Sequence, residues 1–208
     1  MRECCLRNFL ANVALLAVIG FLHGCATTAQ PVSEKLTGQE MIAAVQAAKQ
    51  AHESGKSAEA LFRYEEILQS DPGNRAALMG SARLSLDLGR PDIAEEFFDL
   101  VLKDTPDDAE ALEGRGIGRF RLKRYQQAKA DFSRSVMISP QRWRSWNALG
   151  VLADLQWEYA VAEGHYRKAL NILPNYPLLL NNLGYSLMMS HQYTQAERML
   201  RTGLSYAR

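Results

Sequence analysis

An all-α solenoid of five helix-turn-helix repeats is the fold this sequence predicts, and three observations predict it. From Met41 the chain repeats every 34 residues without an insertion or deletion. One small residue returns in each unit, as Ala60, Ala94, Ala128, Ala162 and Ala196. Apolar residues recur at helical spacing in two runs per unit, before and after a short polar break. A lone helical pair cannot bury its apolar face, whereas stacked pairs share a continuous core.

The units are 41–74, 75–108, 109–142, 143–176 and 177–208. The periodicity predicts helices near 41–53, 57–70, 75–87, 91–104, 109–121, 125–138, 143–155, 159–172, 177–189 and 193–206. Ser54-Gly55-Lys56 and Leu88-Gly89-Arg90 break the first two pairs, and glycine there takes the left-handed conformation that ends a helix. Four residues after each marker alanine stands a large side chain: Tyr64, Phe98, Phe132, Tyr166 or Leu200. Pro72, Pro106, Pro140 and Pro174 close the second helices, because proline cannot continue a helix. Ala48, Ala82, Gly116, Gly150 and Gly184 are small, and the expectation is that they face the marker alanines and let two helices approach closely. Trp146 reads as core, and Trp143 as either core or surface.

The alanines, the aromatic residues, the prolines and the Leu149-Gly150 and Leu183-Gly184 pairs resemble the tetratricopeptide (TPR) repeat, whose period is the same. The resemblance implies a TPR α-solenoid, a right-handed superhelix with a concave groove for a peptide or partner helix. In that family the groove is lined by a stripe at repeat positions 2, 5, 9 and 12. Here the stripe reads Glu110, Glu113, Ile117 and Phe120, then Arg144, Asn147, Val151 and Asp154, then Leu178, Asn181, Tyr185 and Met188. Ile117, Phe120, Arg144, Asn147, Val151, Asn181, Tyr185 and Met188 are the candidate partner-binding residues. Amides can hold a peptide backbone while apolar groups take its side chains. Val45, Gly80, Glu110 and Gly114 stand where relatives clamp a C-terminal carboxylate, so that mode is not expected. Trp157 occupies the inter-helix turn and is a candidate exposed anchor, with packing on its own turn as the alternative. Arg115, Arg119, Arg121, Lys123 and Arg124 form a basic cluster, read as a solvated, salt-bridged face or as a site for an acidic partner. Met199, Leu200 and Leu204 lie near the open C-terminal end, a candidate face for docking or self-association.

The first residues are of another kind. Arg2 and Arg7 precede an apolar run from Phe9 to Leu22, too short for the roughly 20 residues of a membrane span. The run ends in Leu22-His23-Gly24-Cys25, which resembles a bacterial lipobox despite His23, where that pattern has a smaller residue. The resemblance implies a signal peptide over 1–24 and lipidation of Cys25. Residues 26–40 read as a polar tether. Cys25 would be the only thiol left after cleavage, so no disulfide is expected. Ala26 after the cysteine favours the periplasmic leaflet of the outer membrane, with the lipid as the membrane attachment.

The 24 basic and 23 acidic residues nearly cancel, and loss of Arg2, Glu3 and Arg7 leaves them balanced. No polybasic patch for nucleic acid is expected. His52, His165 and His191 fall at unrelated repeat positions without cysteine partners, so neither a metal site nor a cofactor is expected. No nucleophile elbow or phosphate loop is legible, and no catalytic residue is assigned. Asn147 to Gln156 and Leu180 to Leu187 resemble the TadD family, tetratricopeptide lipoproteins of the Tad (Flp) pilus assembly system. That resemblance implies a lipid-anchored scaffold, or pilotin, whose partners are the outer-membrane secretin or other pilus assembly proteins. A type IV pilus pilotin, or a periplasmic adaptor recruiting proteases or cell-wall hydrolases, are the alternatives.

Overall fold

A computed structural model of the chain describes residues 36–207; the expected leader, Cys25 and most of the expected tether lie outside them. The described residues form ten helices and no strand: α1 Gly38–Glu53, α2 Ser57–Ser70, α3 Arg75–Asp87, α4 Pro91–Asp104, α5 Ala109–Arg121, α6 Tyr125–Ile138, α7 Trp143–Asp154, α8 Tyr159–Ile172, α9 Pro177–Met189 and α10 Tyr193–Tyr206.

The first helix starts earlier than its apolar period. Thr37 and Glu40 close a capping box, in which Thr37 N–H donates to the Glu40 carboxylate at 2.8 Å and Glu40 N–H donates to Thr37 Oγ1 at 3.4 Å. Reciprocal bonding satisfies two amides that a helix start leaves without partners. Residues 37–40 therefore belong to the solenoid rather than to a tether. Leu36 N–H is also tied down, donating to Ser70 Oγ at 3.0 Å. Elsewhere Asn74 and Asp108 cap α3 and α5 through their side chains, and Pro91 and Pro177 open α4 and α9. Proline suits that position because the first-turn amide has no intrahelical acceptor.

Each helical pair turns in one way. An amide beyond the turn bonds the carbonyl five residues back in all five repeats: Lys56 to Ala51, Arg90 to Ser85, Arg124 to Arg119, Glu158 to Ala153 and Gln192 to Leu187. This Schellman-type closure needs a left-handed residue just before it. Gly55 and Gly89 supply it at φ +74° and +72°, as expected. The later repeats hold the same geometry with side chains, at Lys123 (+60°), Trp157 (+64°) and His191 (+62°).

The marker alanines are buried, and so are Tyr64, Phe98, Phe132 and Tyr166. Ala48 and Ala82 share a core cluster with the marker alanines Ala60 and Ala94, whereas the three glycines lie nearest the larger side chains one turn after the markers. A Cβ on Gly116 would fall 2.7 Å from the Phe132 ring, on Gly150 2.5 Å from Tyr166, and on Gly184 2.7 Å from Leu200. The ring reaches into the gap, and glycine leaves room for it. Trp146 packs against the core cluster of Phe132, Val136, Leu149 and Leu152, as expected. It is only half-buried, with its indole N–H donating to the Pro140 carbonyl at 2.9 Å.

The core is a stack of apolar clusters, each crossing into the next repeat. Val45, Ala48, Ala60, Tyr64 and Ile67 pack with Ala77 and Leu84 of α3; Ala94, Phe98 and Val101 pack with Ala111 and Leu112 of α5. Phe132 and Val136 pack with Leu149 and Leu152, and Ala162 and Tyr166 pack with Leu183 and Leu187. Each fully buried leucine contributes about 1.5–3 kcal/mol. Among alternate helices of the described residues, α1 approaches α3, α3 approaches α5 and α7 approaches α9, whereas no two even-numbered helices come comparably close. The odd helices therefore line the inner side of the stack.

Candidate partner-binding groove

The inner face carries a cavity of about 470 Å³ over α1, α3 and α5. His52, Met79, Arg83, Glu110, Ile117 and Arg144 are among its lining residues. Its charges pair across repeats. His52 Nε2 lies 2.8 Å from Asp87, Arg83 bonds Glu110, and Arg75 reaches both Glu110 (3.0 Å) and Asp108 (2.6 Å). Arg142 stands 3.4 Å from Glu113, which is buried and accepts from Ser145 Oγ at 2.8 Å. Burial alone would raise the Asp108 carboxyl, but Arg75 and the backbone amides of Ala111 and Glu110 outweigh it and hold the group below its ordinary value. Gly80 and Gly114, at the place of a carboxylate clamp, are occupied by rings. A Cβ at either would fall 2.2 Å from Tyr64 or Phe98.

The candidate residues divide between two settings. Ile117 and Arg144 line the cavity, and Arg144 lies over the Trp143 ring, 4.5 Å from its centroid. Trp143 is half-buried and meets Tyr176 edge-on at 5.1 Å. Asn181, Tyr185 and Met188 are exposed on α9 beside Leu178. Asn147 accepts from the Asn182 amide at 2.8 Å, tying α7 to α9. Phe120 is half-buried, 5.5 Å from the Tyr125 ring, and Val151 packs on the core between the fourth and fifth repeats. Asp154, on the same stripe, turns inward to accept from Tyr166 and Ser186 hydroxyls, both at 2.7 Å. That bond and burial, the larger effect, push the Tyr166 phenol upward. Trp157 is 77% exposed. At the far end Leu204 is exposed, while Met199 and Leu200 are half-buried, Met199 against the core shared by the fourth and fifth repeats. Cys25 lies outside the described residues.

Sequence reasoning missed His52 and Arg83, although they hold positions 12 and 9 of the same stripe in the first two repeats. Extending the stripe backwards would have found them. The basic cluster is salt-bridged, as one of its two readings expects, but not wholly solvated. Arg115 and Arg119 are instead largely buried, converging on the buried Asp131 at 2.7–3.0 Å and reaching Asp99 (2.6 Å) and Glu95 (2.9 Å) respectively. Arg124 bonds Glu95 and Arg121 bonds the Leu86 carbonyl. Their charge is largely spent inside the protein.

The groove therefore has two characters. Over α1 to α5 a ligand would compete with ion pairs already made, and over α9 it would meet the Asn181 amide and apolar groups with open faces. Among the described residues no group of His, Cys, Asp or Glu converges as metal ligands, and no helix is long and apolar enough to cross a membrane.

Stacked helical pairs with an odd-helix groove define this chain as a tetratricopeptide-repeat solenoid, the architecture of protein-interaction scaffolds. Residues 51–115 and 165–198 match models of the tetratricopeptide repeat. Among solved structures it is similar to PilW, described as a widely conserved type IV pilus biogenesis factor (TM-score 0.75, 24% identity, 82% of this chain and 79% of that one). It is also similar to PilF of Pseudomonas aeruginosa (0.74, 20%, 80% and 76%) and to MamA of Desulfovibrio magneticus RS-1 (0.71, 20%, 83% and 98%). At these identities the likeness is one of fold. A curated relative, the CTR9 homolog of Arabidopsis thaliana, is 25% identical over 156 residues; the match spans 73% of this chain but only 14% of that protein.

Proposed function

We propose that this chain is a lipid-anchored scaffold, or pilotin, that supports assembly of the outer-membrane secretin of a Tad (Flp) pilus. It holds an extended partner segment over α7 and α9. The observation that carries the reading is the open stripe of Asn181, Tyr185 and Met188 beside Arg144, in the repeats whose residues resemble the TadD family. Leu178, Tyr185 and Met188 offer apolar contact while Asn181 offers both a donor and an acceptor. Cys25 supplies the membrane attachment on this reading, at the periplasmic face of the outer membrane. The fold shared with PilW supports a second reading, a type IV pilus pilotin, which uses the same groove and anchor.

Deletion of the chain is expected to abolish surface pili and lower the amount of assembled secretin. Restoration with a Tyr185→Ala/Met188→Ala chain should fail although the protein accumulates normally. Cys25→Ser should lose metabolic lipid labelling. Normal piliation in the deletion strain overturns the scaffold, and unchanged labelling overturns the anchor. Loss of type IV pili with Tad pili intact selects the second reading.

A further inference from the structure

Away from the groove, three unmet requirements coincide on the outer side of α7, between α6 and α8. His165 Nδ1 is the one buried side-chain nitrogen or oxygen without a hydrogen-bond partner among the described residues. A buried polar atom left alone calls for an explanation. Two ammonium groups, Lys129 and Lys168, act on the same imidazole, and no carboxylate does. Lys168 Nζ rests over the Trp146 ring, 4.3 Å from its centroid, and Lys129 reaches only the Gln156 amide oxygen at 3.4 Å. This contrasts with the preceding repeat, where Arg115 and Arg119 are met by Asp99, Glu95 and Asp131.

The His165 ring stacks on Trp146, with centroids 5.6 Å apart and planes 26° apart. Burial, then Lys168 and Lys129, hold the imidazole below its ordinary pKa, so at neutral pH it is an uncharged ring. With Nδ1 enclosed and lacking an acceptor, the proton is better placed on Nε2, because burying a bare lone pair costs less than burying an N–H with nothing to receive it. The ring then keeps one N–H donor, at Nε2, and the Trp146 indole on which it stacks also carries the Lys168 ammonium.

We propose that this place is a second binding site, which takes a carboxylate from an acidic segment of a partner protein between Lys129, His165 Nε2 and Lys168. One carboxylate has two oxygens and accepts from all three donors, replacing the charge these side chains lack. The donors are point-like ammonium groups and a single N–H, without the arginine fork or run of backbone amides that phosphate sites use. The site lies on even-numbered helices, so a scaffold could hold one partner here and another in the groove.

The test follows the imidazole ring resonances of the full chain by NMR, with hexaglutamate as the probe and hexaglutamine as the uncharged control. Hexaglutamate should shift the His165 resonance saturably while leaving His191 still, and hexaglutamine should not. Lys129→Gln/Lys168→Gln, with unchanged helical circular dichroism, should weaken binding about tenfold. Tyr185→Ala should bind hexaglutamate as the parent chain does, so the outcome is separate from that of the groove. A His165 resonance that does not move at millimolar probe overturns the site, as does equal binding by the double variant. Inorganic phosphate competing as well as hexaglutamate at equal concentration overturns the assignment to an acidic segment.

Discussion

At the scale of single residues, the inter-helix turns record a conflict between backbone and side chain. Five repeats impose one closure, yet only Gly55 and Gly89 meet it with a residue suited to positive φ. A side chain in that conformation costs about 1–2 kcal/mol, because its Cβ crowds the following carbonyl. Trp157 bears this cost while its indole is 77% exposed, so little packing offsets it. Glycine would relieve the strain but enlarge the freedom of the unfolded chain, returning about 0.5–1 kcal/mol. Trp157→Gly is therefore expected to stabilise the protein by about 0.5–1 kcal/mol. In urea denaturation the midpoint should rise with the slope unchanged. A lower midpoint would mean that the indole packs on its own turn, the alternative the sequence left open.

At the scale of elements, the helices were legible and the facing of their side chains was not. Period, alanine markers and prolines place the helices because they reflect one repeated packing problem. The start of α1 escaped because Thr37 and Glu40 act through a cap, which has no apolar period. Within the groove stripe, spacing alone could not separate Tyr185, which is open, from Asp154 or Glu113. Those two turn towards partners on other helices, Tyr166, Ser186 and Ser145. Ion pairs between repeats follow the same rule, and Asp108 illustrates their energetics. It caps α5 and accepts from Arg75 of α3 at 2.6 Å, joining two odd helices. Its folded pKa is depressed below the ordinary value of 3.8, so its stabilisation is present above that pH and is lost as pH falls through the lower folded value. Asp108→Asn should lower the melting temperature at pH 6, while Asn still caps the helix. The gap between variant and parent should shrink as pH is lowered beneath the ordinary aspartate range. A gap of equal size at the lower pH would show that the charge contributes nothing there.

At the scale of the whole solenoid, the clusters of the core touch only neighbouring repeats, and this dictates how damage spreads. Leu183 of α9 is fully buried and packs with Ala162 and Tyr166 of α8, which is where the fifth repeat is held to the fourth. Truncating a buried leucine costs about 2–5 kcal/mol through lost burial and the cavity left behind. In a globular core that loss would be shared throughout. Here stability is closer to a sum of repeat terms and nearest-neighbour interfaces, so it falls on the elements beside the cut. Leu183→Ala should therefore raise amide hydrogen exchange in α8, α9 and α10 and leave α1 to α4 near their parental protection. That pattern matters for function, because the open groove residues of α9 ride on the weakened repeat while the charge-paired cavity over α1, α3 and α5 does not. The variant should lose groove binding well before it loses overall helicity. Exchange that accelerates evenly from α1 to α10 would show one cooperative core instead, and the two halves of the groove could not then be uncoupled.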